Sequence, residues 1–65
     1  MPDTEEIAHQ QTLLTINRRN LALLLEQERR QGGRAYALPV VVNGIAEARA
    51  EIARIKGILA GWRHP

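Results

Sequence analysis

"RRQGGRAYALPVVV", residues 29–42, holds two glycines, a proline and the only tyrosine of the chain, and its reading decides the fold. A phosphate-cradling glycine loop presents backbone N–H groups at the opening of a helix, usually after a strand and with a Lys-Ser/Thr pair behind it. Gly32-Gly33 has the opposite setting. Arg29 and Arg30 suit the last turn of a helix, where the free backbone groups are carbonyls and the dipole end is negative. Gly32 can take the left-handed conformation just past that end, and Pro39 suits the first turn of a new helix, where its missing N–H would be unpaired anyway. The stretch therefore predicts a turn, made by Gly32, Gly33 and Pro39, between two helices.

Downstream of it, apolar residues fall at Val41, Ile45, Ala48, Ile52, Ile55, Leu59 and Trp62. This alternating four-three spacing predicts a helix over about 39 to 62 with one stripe for a partner helix. Glu47, Arg49, Glu51, Arg54 and Lys56 form its polar face, and Glu51 can pair with Arg54 three residues on.

Upstream, Ile7, Leu14 and Leu21 share one line, continued by Leu24 and Leu25, while Leu13, Ile16 and Leu23 form an adjoining one. Asp3 or Thr4 can cap the start, with Glu5 and Glu6 in the first turn where the positive dipole end favours them. The helix is expected over about 4 to 31. At ~1.5 Å per residue the two segments are roughly 42 and 36 Å long, a fit for an antiparallel hairpin. That pairing brings Asp3, Glu5 and Glu6 near Arg63.

The expected fold is all-α: a single domain, residues 1–65, folded as a two-helix hairpin. Its predicted core is Ile7, Leu14, Leu21, Leu25, Ile45, Ile52, Ile55, Leu59 and Trp62. A lone hairpin covers each stripe from one side only, which leaves Leu13, Ile16, Leu23 and Ile58 as the expected interface, with Val42 also short of cover. A 65-residue chain without cysteine has no disulfides or thiolate metal sites to support so small a core. Dimerisation into a four-helix bundle is the economical remedy. Ala53, Gly57 and Gly61 form a small-residue row along which another helix could approach, or simply a fraying C-terminal turn.

Reaction chemistry has few candidates. Glu6-x-x-His9 has the spacing of half a di-iron carboxylate site, but the facing level of a hairpin holds Ile58, Leu59 and Trp62, none of them a ligand. The chain has no serine, its threonines Thr4, Thr12 and Thr15 fall on the first helix, and His64 is next to the last residue, so no acid, base and nucleophile assemble. The expectation is a non-enzyme with no cofactor, metal or small-molecule site. The longest strongly apolar run, "LALLL" at 21–25, is too short to span a bilayer and the N-terminus is acidic where a signal peptide is basic, which reads as a cytoplasmic chain with no membrane partner.

Nucleic acid is the rival partner. Nine basic residues against seven acidic ones give a formal charge of +2, and eight of the nine are arginine. A hairpin that dimerises has the architecture of Rop-like RNA-binding proteins, but here the arginines are spread over both helices with no aromatic placed to stack bases.

"NRRNLALLLEQERRQGG" followed by "LPVVVNGIAEARAEIARIKGIL" resembles the short helical hairpins, effector-associated or death-like adaptor domains, of bacterial conflict-system STAND NTPases and effector proteins. The matching positions are Arg18, Leu21, Leu25, Glu26, Gln27, Gly32, Pro39, Ile45, Arg49, Glu51, Ile52, Ala53, Ile55 and Lys56, within residues 17–59. Leu38-Pro39 stands where those relatives often carry a double proline with a capping Ser/Thr, and Gly44 where they carry an acid, so the second helix starts with a poor cap and an early glycine. The resemblance implies a homotypic oligomerisation or adaptor module of a bacterial signalling or defence protein, whose partner is another copy of itself or a cognate helical adaptor domain.

Overall fold

The computed structural model describes residues 2–63, so His64 lies outside the described residues. Two helices, α1 (Thr4–Arg30) and α2 (Pro39–Arg63), pack against each other as an antiparallel hairpin. The body measures 45 × 16 × 13 Å.

Each helix end has a local cause. The Asp3 carboxylate accepts a hydrogen bond from the Glu6 N–H at 2.8 Å, satisfying one of the amides that a helix start leaves open, and Glu5 and Glu6 follow in the first turn. At the far end the Gly33 N–H donates to the Glu28 carbonyl at 2.9 Å and the Gly32 N–H to the Arg29 carbonyl at 3.1 Å. This crossed pair is a Schellman closure, and it requires the left-handed φ of +100° found at Gly32. Gly33 repeats it at +98°, which turns the chain back.

The loop is then tied across. The Gln31 side-chain Oε1 accepts from the Leu38 N–H at 2.9 Å, and the Leu38 carbonyl accepts from Val41 and Val42. Those bonds start α2 at Pro39 without a capping Ser or Thr. The Tyr36 ring packs over Gly32, its Cβ 3.4 Å from where a Gly32 side chain would begin.

Gly44 has a packing role. A Cβ placed there would meet the Leu24 Cδ1 at 3.1 Å, so the glycine gives Leu24 room to lie against α2. Ala48, 3 % exposed, keeps the helices close one turn further on. The early glycine that weakens the sequence signal for α2 is thus a contact point between the helices.

Burial is lopsided. Val41, Ile45, Ala48 and Ile55 are buried, with Ile55 fully enclosed, whereas α1 has no buried residue. Ile7, Leu14, Leu21, Ile52, Leu59 and Trp62 are half-buried along the seam. Leu25 departs from its expected place in the core: it is exposed, at 36 %. The seam keeps the seven-residue step from Ile7, Leu14 and Leu21 on to Glu28, with Leu24 filling the three-residue step after Leu21; Leu24 and Glu28 are both half-buried. Leu25, one residue past Leu24, is turned ~100° further round and lines the groove beside the seam.

Two polar residues also face the seam. Asn17 is satisfied locally, its Nδ2 donating to the Leu13 carbonyl at 2.9 Å, while the Gln10 Oε1 is buried with no hydrogen-bond partner.

Candidate interaction surfaces

Two helices side by side form a layer with two broad faces, and the sequence makes them chemically different. The Leu24–Gly44 contact identifies the first face. On a helix of 3.6 residues per turn, Leu13, Ile16, Asn20, Leu23 and Gln27 lie on the Leu24 side of α1, and Val40 and Ile58 lie on the Gly44 side of α2 with Glu47, Glu51 and Arg54 between them. Of the four expected interface residues, Ile16 is 55 % and Leu23 61 % exposed, while Leu13 and Ile58 are half-buried at the edge of the seam. Val40, at 72 % exposed, extends the apolar surface and carried no distinct sequence signal, because it falls off the stripe that defines α2.

This face has its own order. The steps from Leu13 to Ile16, Asn20, Leu23 and Gln27 are three, four, three and four residues, a second heptad line beside the one facing α2. Polar Asn20 sits between Ile16 and Leu23. In helix pairs a single Asn at such a position fixes register and strand number at a cost in stability.

The opposite face is a trough between the helices with a basic rim. One groove of about 370 Å³ near the loop is lined by Arg34 and Arg49 over Leu25, Val42 and Ile45. A second, of about 260 Å³, is lined by Arg18, Lys56 and Arg63 over Leu14 and Leu59. Ile7, Leu59 and Trp62 meet beyond it at the open end.

Elsewhere the charges are paired within their own helix. Arg29 and Arg30 both engage Glu26, and Arg54 chelates Glu51 with Nε 3.1 Å from each carboxylate oxygen. The hydrogen bond from Arg54 holds the Glu51 carboxyl below its usual range and Glu51 in turn raises Arg54. Among the described residues every ion pair is within one helix. Asp3, Glu5 and Glu6 form none with Arg63, so the antiparallel arrangement is held by apolar packing rather than charge.

The four arginines of helix 1 do not make one surface. Arg18 lines the trough, Arg19 points ~100° away from it, and Arg29 and Arg30 are held by Glu26. Gly57 and Gly61 lie in α2 with open space where a Cβ would stand. The small-residue row is therefore not used within the hairpin, and the helix continues through it to Arg63. Among the described residues no three His, Cys, Asp or Glu side chains come together, and no helix is long and apolar enough to cross a membrane.

What these features define is an antiparallel helical hairpin with one face that is apolar along α1 and one basic trough. Compared with known proteins, the chain matches no family model, no curated protein and no solved structure.

Proposed function

We propose that the chain is a homotypic protein–protein interaction module that pairs its open apolar face with that of a second copy, forming a four-helix bundle. The supporting observation is surface area. The hairpin exposes 5043 Å², whereas a compact monomer of 7.3 kDa exposes about 4,200 Å². The excess of roughly 900 Å² is close to the ~800 Å² each partner contributes to a stable interface. The radius of gyration agrees: 14.6 Å against about 11 Å for a compact chain of this length.

Charge selects the face. Joining two basic troughs would set five cations against five, and like charges across an interface oppose association. Leu13, Ile16, Leu23, Val40 and Ile58 carry no such penalty, and Asn20 in their midst supplies a register. Burying these side chains drives the pairing, centred on Leu13, Ile16 and Leu23 of α1, with the Glu51–Arg54 pair already matched in charge where α2 borders them.

The wider role follows from the resemblance to bacterial adaptor hairpins: the dimer would bring together whatever effector domains are attached to it. Light scattering on Leu23→Asp beside Lys56→Asp tests the choice of face. Loss of association in the first and retention in the second is expected. Equal masses for the two variants would refute it.

A further inference from the structure

The trough is the part of the molecule that self-association leaves unused. Arg49, Lys56 and Arg63 follow one another at seven-residue steps along α2, ~10.5 Å apart. Arg18 adds a cation from α1 across the second groove, and Arg34 extends the series at the loop. All five are exposed, and among the described residues none of them forms an ion pair. Among the described residues Glu28 is the only carboxylate lining the grooves.

Between the cations the floor is apolar. Leu14, Val42 and Leu59 are half-covered and Leu25 is exposed, in line with one another along the seam. An occupant must therefore supply a row of carboxylates and a row of apolar side chains together, in the same repeat.

We infer that the trough docks an acidic amphipathic helix from a different protein, laid along the hairpin so that heptad-spaced Asp or Glu residues face Arg49, Lys56 and Arg63. A partner helix with a seven-residue period keeps its carboxylates in step with cations ~10.5 Å apart over the whole trough, as charged flanks do in coiled coils. Its apolar stripe covers the leucine and valine floor. A nucleic acid matches less well: it offers a charge every ~3.4 Å of axis per strand and nothing to cover the floor. Of the two aromatic residues, Trp62 is half-buried at the open end, and Tyr36, though exposed, is not among the residues lining the grooves. Trough-to-trough docking of a second copy is opposed by sign, because its own trough is equally basic. The inference does not rest on the dimer, since the trough is complete in one hairpin.

The test uses a labelled three-heptad peptide with Leu on its apolar stripe and Glu on both flanks. Its counterpart carries Gln in place of Glu, and a ~20-base-pair RNA duplex serves as the third probe. Anisotropy titrations are run at about 50 and 300 mM salt. The expected result is saturable binding of the Glu peptide, at least tenfold weaker for the Gln peptide, weakened several-fold by salt. It falls at least tenfold in Arg49→Glu/Lys56→Glu and less, in the same direction, in Arg49→Gln/Lys56→Gln, with helicity by circular dichroism unchanged. The non-associating Ile16→Asp/Leu23→Asp chain should bind the peptide as the parent does, which separates this outcome from the fate of the dimer. Equal affinity for the two peptides, indifference to the trough substitutions, or tighter binding of the duplex lost with those same substitutions would each overturn the inference.

Discussion

Ile55→Ala is the substitution that most directly probes the hairpin itself. Among the described residues Ile55 is the one large side chain with no exposure, in a seam to which α1 contributes only half-covered residues. The change removes three buried carbon groups at ~0.8 kcal/mol each, about 2.4 kcal/mol in transfer alone. A cavity term adds to this as far as the two helices fail to close the gap, bringing the expected loss to about 2.5–4 kcal/mol. A single small core supplies only ~3–5 kcal/mol, so the variant should be close to half-unfolded at the concentration where the parent is stable. Urea titration followed by helical circular dichroism measures this, with the midpoint falling and the slope unchanged. Val40→Ala, at 72 % exposed, is the control and should cost less than about 0.5 kcal/mol in an isolated hairpin. A loss under ~1 kcal/mol at Ile55 would contradict the packing described above.

Other substitutions have definite signs. Gln10→Leu should stabilise the fold by about 1 kcal/mol or more, because the buried Oε1 has no partner and an apolar group of similar size has nothing to leave unsatisfied; a loss in thermal midpoint would contradict it. Gly57→Ala should raise stability by about 0.5–1 kcal/mol, as its new methyl enters open space in a helix, whereas Gly44→Leu should lower stability by more than about 1.5 kcal/mol by displacing Leu24. Gly32→Ala forces a side chain into φ +100° and should cost at least ~1 kcal/mol in chemical denaturation. The depressed Glu51 carboxyl contributes stability present above its unfolded pKa and lost as pH falls through the folded one. Glu51→Gln should accordingly remove part of the acid dependence of the midpoint and leave a shallower curve.

The hairpin was legible because its signals are local. Asp3 before an acidic first turn, arginines before Gly32 and a proline seven residues later each act through bonds within a few residues, and they place the ends within one residue of the observed α1 and α2. Residues whose role depends on how one helix lies on the other were harder to read. Gly44 looked like a weak start to α2 because the leucine that fills its place comes from twenty residues earlier. Leu25 was expected in the core because Leu24 and Leu25 both follow Leu21 at helical spacing, and only the lie of α2 selects Leu24 for the seam. The trough was invisible as a unit: Arg18 and Arg34 belong to other segments, and only the hairpin sets them on the same face as Arg49, Lys56 and Arg63.

Asn20 links sequence and association. If it sets the register of the paired hairpins, Asn20→Leu should tighten association while adding species larger than a dimer, which native mass spectrometry would detect. A single, unchanged species would remove Asn20 from that role.

Sedimentation equilibrium of the unaltered chain, from low micromolar to millimolar concentration, tests the central claim most directly. Pairing through the apolar face predicts a mass of twice 7.3 kDa that declines toward the chain mass only on dilution, and stays at the chain mass for Ile16→Asp/Leu23→Asp. A parent chain sedimenting at 7.3 kDa throughout that range would contradict the account.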